Sequence, residues 1–190
     1  MTSLIRLRTA AVLAVLLLPV SAAWADSYSD TIAVFKGAGE SSEFFKKAYG
    51  YAVFPSIGKG GMVVGGAHGT GHVYVGGKVV GESSMNQISV GLQLGGQVYS
   101  QIIFFEDKRA FDEFTSGNFE FGADASAVAI TAAASAGAST GGSSASVSGG
   151  QHDAATAGAY HKGMAIFTVA KGGLMYQAAV AGQKYSYKKK

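Results

Sequence analysis

No cysteine occurs among the 190 residues. Its absence excludes disulfides, thiolate metal sites and a cysteine nucleophile, and it leaves no cysteine at a leader cleavage site to carry a lipid anchor. A large excess of one charge is missing as well. The formal net charge is +3, and without Arg6 and Arg8 only 13 basic residues face 12 acidic ones. Three of those 13 are Lys188, Lys189 and Lys190 at the end of the chain. Nucleic-acid binders carry clustered basic faces that neutralise several phosphates, so nucleic acid is not expected as a partner. A local basic patch can still hold an anionic head group.

Long apolar runs are also lacking. Thr9 to Val20 follows the basic Arg6 and Arg8, and it falls well short of the roughly 20 residues a spanning helix needs. Ala23-Trp24-Ala25 then fits the small-x-small pattern of a cleavage site. Residues 1–25 are therefore expected to be a signal peptide, and 26–190 one exported domain, periplasmic or secreted. That length suits a single domain able to bury a core without disulfides.

Catalytic signatures fail one by one. Gly137-Ala138-Ser139-Thr140-Gly141 has the spacing of a nucleophile elbow, but it lies in a Gly/Ser-rich stretch rather than between strand and helix. Gly37-Ala38-Gly39 reaches Ser42 and Gly69-Thr70-Gly71 reaches Tyr74 where a dinucleotide fingerprint needs glycine. His72 occupies the first glycine position of a phosphate loop ahead of Gly77-Lys78. No His-Glu-x-x-His is present. The chain reads as a non-enzyme with no cofactor.

What is abundant is glycine. Of 28 glycines, 13 lie between Gly58 and Gly96, interleaved with β-formers. Glycine weakens a strand interior, so a strand region that keeps so many must be sharply bent, bulged or closely approached by other backbone. The expectation is an α+β fold: a single compact domain dominated by a strongly twisted, Gly-rich antiparallel or barrel-like sheet. An amphipathic helical segment precedes it. Tyr28, Ile32 and Phe35, then Phe44, Phe45 and Ala48, recur at helical spacing, with Gly37 and Gly39 interrupting and Ser41 or Ser42 placed to cap the second piece.

From Tyr51 the period changes to two. Strands are expected over Tyr51–Phe54, Gly61–Ala67, Gly71–Gly76 and Lys78–Val90, with hairpin turns at Gly69-Thr70-Gly71 and Gly76-Gly77. Leu92–Phe105 is the longest apolar strand, and large residues on both of its faces call for cover on both sides. Asp107 is placed to cap a short helix over 107–116 with a stripe of Ala110, Phe111 and Phe114, and Gly117 stops it. Gly137 to Gly150 reads as a mobile Gly/Ser loop, Ala123–Ala136 is open between helix and strand, and strands Gly158–Ala170 and Gly173–Tyr187 close the chain.

Three segments together resemble the SYLF domain family, a lipid-binding module also called the yeast-type actin-binding domain. They are Lys59-Gly60-Gly61 running to Gly65-Gly66 and Gly69-Thr70-Gly71; Gly91-Leu92-Gln93-Leu94-Gly95 with the strand and Asp107–Phe114 behind it; and Tyr160-His161-Lys162-Gly163 followed by Gly172-Gly173-Leu174-Met175-Tyr176. Their order spans Tyr28 to Tyr187. Eukaryotic members often carry a Trp-Ser-x-Pro-like stretch where this chain has Gly81-Glu82-Ser83-Ser84-Met85, so properties tied to that stretch do not transfer. The resemblance implies affinity for phosphoinositide-like anionic membrane, and actin binding in some members.

Candidate lipid contacts follow from chemistry. Lys36, Lys46 and Lys47 stand beside Phe35, Phe44 and Phe45 on the helical segment, which packs on the sheet, lies at a membrane surface, or does both with different faces. Lys59, Lys162 and Lys171 each adjoin glycine, where exposed N–H groups can help cradle an anion, although turns also carry lysine for solubility alone. The tail Lys184–Lys190 mixes aromatics and lysines, as an interfacial segment or a strand end would. His68 and His72, flanking the expected Gly69-Thr70-Gly71 turn, are weak metal candidates that lack a third ligand nearby, His152 being remote. Two other classes compete with a peripheral lipid-binding module: a small outer-membrane β-barrel, and a structural protein of the envelope.

Overall fold

Inward-facing glycines decide the shape of this molecule. The computed structural model describes residues 26–61, 64–90, 97–122, 125, 127–130, 160–171 and 180–190. The expected leader, the 137–150 loop and His152 lie outside these residues. Three helical pieces come first: α1 (Asp26–Gly37), α2 (Gly39–Ser42) and α3 (Phe44–Lys47). Strands β1 (Gly50–Gly61), β2 (Val64–Val75), β3 (Lys78–Val90) and β4 (Gln97–Phe105) follow. Helix α4 (Lys108–Phe114) leads to β5 (Phe119–Glu120), β6 (Val128–Ile130), β7 (Met164–Lys171) and β8 (Gln183–Lys189).

All eight strands form one sheet in the order β5-β8-β3-β2-β1-β4-β7-β6. Seven pair antiparallel, and β6 joins β7 in parallel. An up-and-down membrane barrel would pair chain neighbours throughout; here β1 sits between β2 and β4, and β8 between β5 and β3. The sheet is strongly curled. Strands β4 and β8 are four places apart, about 19 Å in a flat sheet, yet Gln101 Nε2 on β4 donates to Gln183 Oε1 on β8 at 3.1 Å and to the Tyr185 hydroxyl at 3.0 Å. Tyr185 donates to Gln183 Oε1 at 2.6 Å, and Gln183 Nε2 donates to the Tyr99 hydroxyl at 3.1 Å. Burial holds both phenols above their ordinary 10.0, so both stay protonated, Tyr185 donating and Tyr99 accepting in this network.

Curling this tight needs small residues on the inside. A Cβ on Gly69 would fall 2.7 Å from Ile57 Cγ1 and 2.9 Å from the Ser56 carbonyl oxygen. On Gly71 it would fall 2.6 Å from both Phe54 Cδ1 and the Val53 carbonyl oxygen. A β-bulge at Pro55 and Ser56 shifts the register of β1 against both neighbours. Proline has no N–H to offer a ladder, and a bulge is where a strand tolerates it; Ser100 Oγ donates to the Pro55 carbonyl at 2.8 Å.

The sheet buries both faces. Inside lie Phe54, Ile57, Val73, Met85, Ile103, Phe105, Ile166 and Tyr185, closed at one end by Phe114 of α4. Outside, Val53, Ile102, Phe104 and Phe167 are covered by Phe35 and Phe44 of the helical segment. The two-sided cover expected of β4 is present. So is the α4 cap, with the Ala110 N–H donating to Asp107 Oδ1 at 2.8 Å, and so is the glycine stop, Gly117 at φ 100.

Two expectations change, while the expected hairpin at Gly76-Gly77 holds. Gly69-Thr70-Gly71 is no turn; it lies mid-strand in β2, where small residues are demanded by packing. Gly76-Gly77 is the hairpin, both at positive φ. Neither Ser41 nor Ser42 caps the piece that carries Phe44 and Phe45: both lie inside α2, and the N-cap of α3 is Glu43; buried Ser41 instead donates to the Phe35 carbonyl near the end of α1.

Candidate lipid-facing surfaces

The helical segment spends its apolar face on the sheet. Phe35 is fully buried, and Phe44 packs on Phe104 (5.5 Å between ring centroids) and edge-on to Phe167 and Tyr160 (both 5.1 Å). Burying each such ring stabilises the fold by about 1.5–3 kcal/mol, which holds the helices down. Phe45 is half-buried, set edge-on to Phe104 at 4.8 Å and to Tyr51 at 5.2 Å, with Lys36 Nζ 5.5 Å above its ring. Lys36, Lys46 and Lys47 are exposed, as the packed-helix reading requires, and Lys46 is bonded to Glu43 at 2.8 Å.

At its N-terminus α1 is anchored by Tyr28, stacked on His72 with centroids 3.9 Å apart and planes 6° apart. Burial lowers the His72 pKa from its ordinary 6.5, Glu82 across the strand opposing this and Lys190 adding to it. The unfolded chain therefore protonates first as pH falls, so the stability tied to neutral His72 is present above about 6.5 and lost below it. The thermal midpoint of wild type is expected to drop more between pH 7.5 and pH 5.5 than that of His72→Phe, which keeps a stacked ring; equal drops would refute this role for His72.

Register divides the candidate lysines between two ends of the sheet. Gly50, Phe105 and Met164 mark the near end. Lys46 and Lys47 immediately precede it, and Lys162 occupies the turn before β7. Basic groups there are interleaved with carboxylates: Lys108 with Asp112 at 2.6 Å, Arg109 with Glu113 at 3.5 Å and Asp107 at 3.8 Å, besides Lys46 with Glu43. The C-terminal lysines also come to this end, on β8, where Glu82 pairs opposite Lys188. Their segment is a strand with Tyr185 buried.

Lys59 and Lys171 mark the far end. Lys59 pairs with Gln97, and the next residue, Val98, pairs with Gly58 on one side and Lys171 on the other. No acidic residue occurs in 55–71, 83–105 or 154–190, which supply this end from β1–β4, β7 and β8; register also brings Glu120 of β5 toward it, opposite Lys184 and 3.5 Å from its ammonium. Three large apolar side chains are exposed among the described residues, and two are here: Ile88, 81% exposed, and Val98, 42%. Gly58 and Gly60 face open space, and Gly66 meets only the Gln87 carbonyl oxygen at 3.5 Å. Sequence reading missed Ile88 and Val98. The signal was available in β3, where Ile88 sits in phase with exposed Asn86 and Glu82 while Met85 and Gln87 point inward.

The two imidazoles do not meet. His68 and His72 stand four residues apart on one strand, about 13 Å at strand rise. His68 Nδ1 lies 2.8 Å from Asn86 Oδ1, while His72 stacks on Tyr28. The paired arrangement expected across a hairpin does not form, because β2 runs straight through.

Residues 86–190 match the Ysc84 family, described as "Las17-binding protein actin regulator". Over 100 residues the chain is 36% identical to the Beta cell expansion factor A of Aeromonas veronii, a match covering 52% of this chain and 38% of that protein. The chain thus spans well under half the length of that relative. The matched part begins within β3, yet β1 and β2 lie between β3 and β4 in the sheet, so matched and unmatched residues build one core.

Proposed function

The chain belongs to the Ysc84 family, and from that membership we propose that it is a non-enzymatic, exported lipid-binding module that docks peripherally on anionic membrane. The observation that carries the proposal is the far end of the sheet. Lys59 and Lys171 stand there without carboxylates in the surrounding stretches, beside exposed Ile88 and Val98. Peripheral docking needs both terms: basic side chains at about 1 kcal/mol each near an anionic surface, and apolar side chains that leave water. The near end offers lysines largely interleaved with carboxylates, and the helices have their apolar face engaged. Glycines at the far end add a flat approach for the head-group layer.

Co-sedimentation with neutral and with anionic vesicles, at low and high salt, tests this. Binding is expected to need the anionic lipid and to fade with salt, since exposed charges are screened beyond about 8 Å at physiological ionic strength. Failure to sediment with either vesicle would sink the lipid reading and leave a protein partner, the kind of partner that the family description names.

A further inference from the structure

Among the described residues no strand pairing joins the two edges of the curled sheet, and the seam between them holds a cavity. One edge is β5 on β8, the other β6 on β7. Between β5 and the start of β7 is a cavity of about 260 Å³. Phe119 and Phe121 wall it from the β5 side, Met164 and Ile166 from β7, and Ala125 lies between. These apolar residues belong to or pack on the inner core, so the cavity is a mouth opening into the barrel, a usual place for a small-molecule site.

Its rim carries charges of both signs. Glu113 of α4, Glu120 of β5, and His161 and Lys162 of the turn before β7 all line it. The carboxylates are held only loosely by protein cations, Arg109 at 3.5 Å from Glu113 and Lys184 at 3.5 Å from Glu120. The turn before β7 is rigid. Lys162 and Gly163 take positive φ, 51 and 80, in a two-residue turn, and His161 and Met164 exchange both backbone hydrogen bonds at 2.9 and 3.0 Å. The Glu106 N–H donates to the Gly163 carbonyl at 2.8 Å, tying the turn to the start of α4. Lysine at a left-handed position is uncommon, and here it places Lys162 at the tip of the turn that lines the mouth.

We propose that this seam is a binding site for a free, single-chain zwitterionic amphiphile, its short chain or ring in the cavity and its head across the rim. Size sets the tail: a cavity of about 150 Å³ accepts benzene, and drug-sized ligands need about 300 Å³ or more. Charge sets the head. A purely anionic head meets Glu113 and Glu120, and a purely cationic one meets Lys162. Only a head carrying an ammonium and an anionic group finds opposite charge for each of its groups. The β7 side of the site, Lys162 to Ile166, lies at the opposite end of that strand from Lys171, and its test uses no vesicle, so it stands or falls independently of vesicle docking.

The test is a methyl-detected NMR titration of the full chain with n-octylphosphocholine below its micelle concentration, beside octyl sulfate and octyl glucoside with the same tail. Saturable shifts are expected at the Met164 and Ile166 methyls, with at least tenfold tighter binding of the zwitterion than of either other amphiphile. Ala125→Phe, which fills the cavity, is expected to weaken binding at least tenfold. Should that variant misfold, Glu120→Gln and Lys162→Gln at the exposed rim carry the test: each should bring octylphosphocholine to the affinity of octyl glucoside without moving the latter. No saturable shift at these methyls, or equal affinity for all three heads, would overturn the proposal.

Discussion

Replacing Gly71 by valine is expected to cost about 3 kcal/mol of folding stability or more, while Gly58→Ala and Gly60→Ala are neutral or stabilise by up to about 1 kcal/mol. All three glycines lie in the same glycine-rich tract of β1 and β2, and composition does not tell them apart. Space does. A Cβ at Gly71 meets backbone, the Val53 carbonyl oxygen at 2.6 Å, and the Phe54 ring at 2.6 and 2.7 Å. Phe54 is fully buried and set edge-on to Tyr185 at 5.5 Å, so it has no free rotamer to retreat into. A carbonyl cannot retreat without breaking the β1–β2 ladder. At Gly58 and Gly60 nothing lies within 4 Å, and neither takes a positive φ, so alanine there mainly restricts the unfolded chain. Urea unfolding followed by far-ultraviolet circular dichroism reads both effects. Equal stability of Gly71→Val and Gly58→Ala would show that the inner face is looser than its packing indicates.

That contrast marks how far sequence reading reaches. The dense glycine was legible as a sign of a bent, closely approached sheet, and so were the change of period at Tyr51, the Asp107 cap and the double-faced β4. These are local signals, each held in a few adjacent residues. The route of β2 was not legible, because Gly69-Thr70-Gly71 has the composition of a turn. Only contact with Phe54 and Ile57 from β1, which is tertiary, makes it a strand interior. Pairing His68 with His72 failed for the same reason, since it depended on that turn. The sheet order was also out of reach. Nothing near Gln183 or Tyr185 in the sequence announces that they meet Gln101, 82 and 84 positions earlier, across the interior.

The lysines show the same division. Lys36, Lys46, Lys47, Lys59, Lys162 and Lys171 were each visible as a basic residue beside aromatics or glycine, but strand register sorts them into separate ends. Phe35 and Phe44 have the spacing of a membrane-facing stripe, and a stripe of that spacing serves equally to pack a helix on a sheet. Burial decides between the two uses: Phe35 is 0% and Phe44 8% exposed. The carboxylate-free strand stretches at the far end were written in the sequence as gaps between acidic residues, but those gaps acquire meaning only when β1, β3, β4 and β7 bring them side by side.

Charge reversal at the far end is therefore expected to abolish binding to anionic vesicles where reversal on the helices does not. Each lysine near an anionic surface contributes about 1 kcal/mol, and a glutamate in its place adds repulsion of similar size. The double variant Lys59→Glu/Lys171→Glu should then lose about 4 kcal/mol, on the order of 10³-fold in partitioning. Ile88→Ser withdraws the most exposed apolar side chain from the bilayer, about 2 kcal/mol or some 30-fold. Both changes are at surface positions of strand ends, so the unfolding midpoint should hardly move, and circular dichroism checks that the effect is on binding alone. Reversing Lys36, Lys46 and Lys47 together adds as much or more negative charge to the molecule but at the other end, where Lys46 already faces Glu43. If docking used overall charge, the triple helix variant would be the worse binder. If it used a defined end of the sheet, the Lys59/Lys171 variant would be, by a wide margin and with the steeper loss at low salt, where unscreened surface charge counts most. A helix variant that loses binding as completely as the sheet-end variant would move the membrane-facing surface to α1–α3.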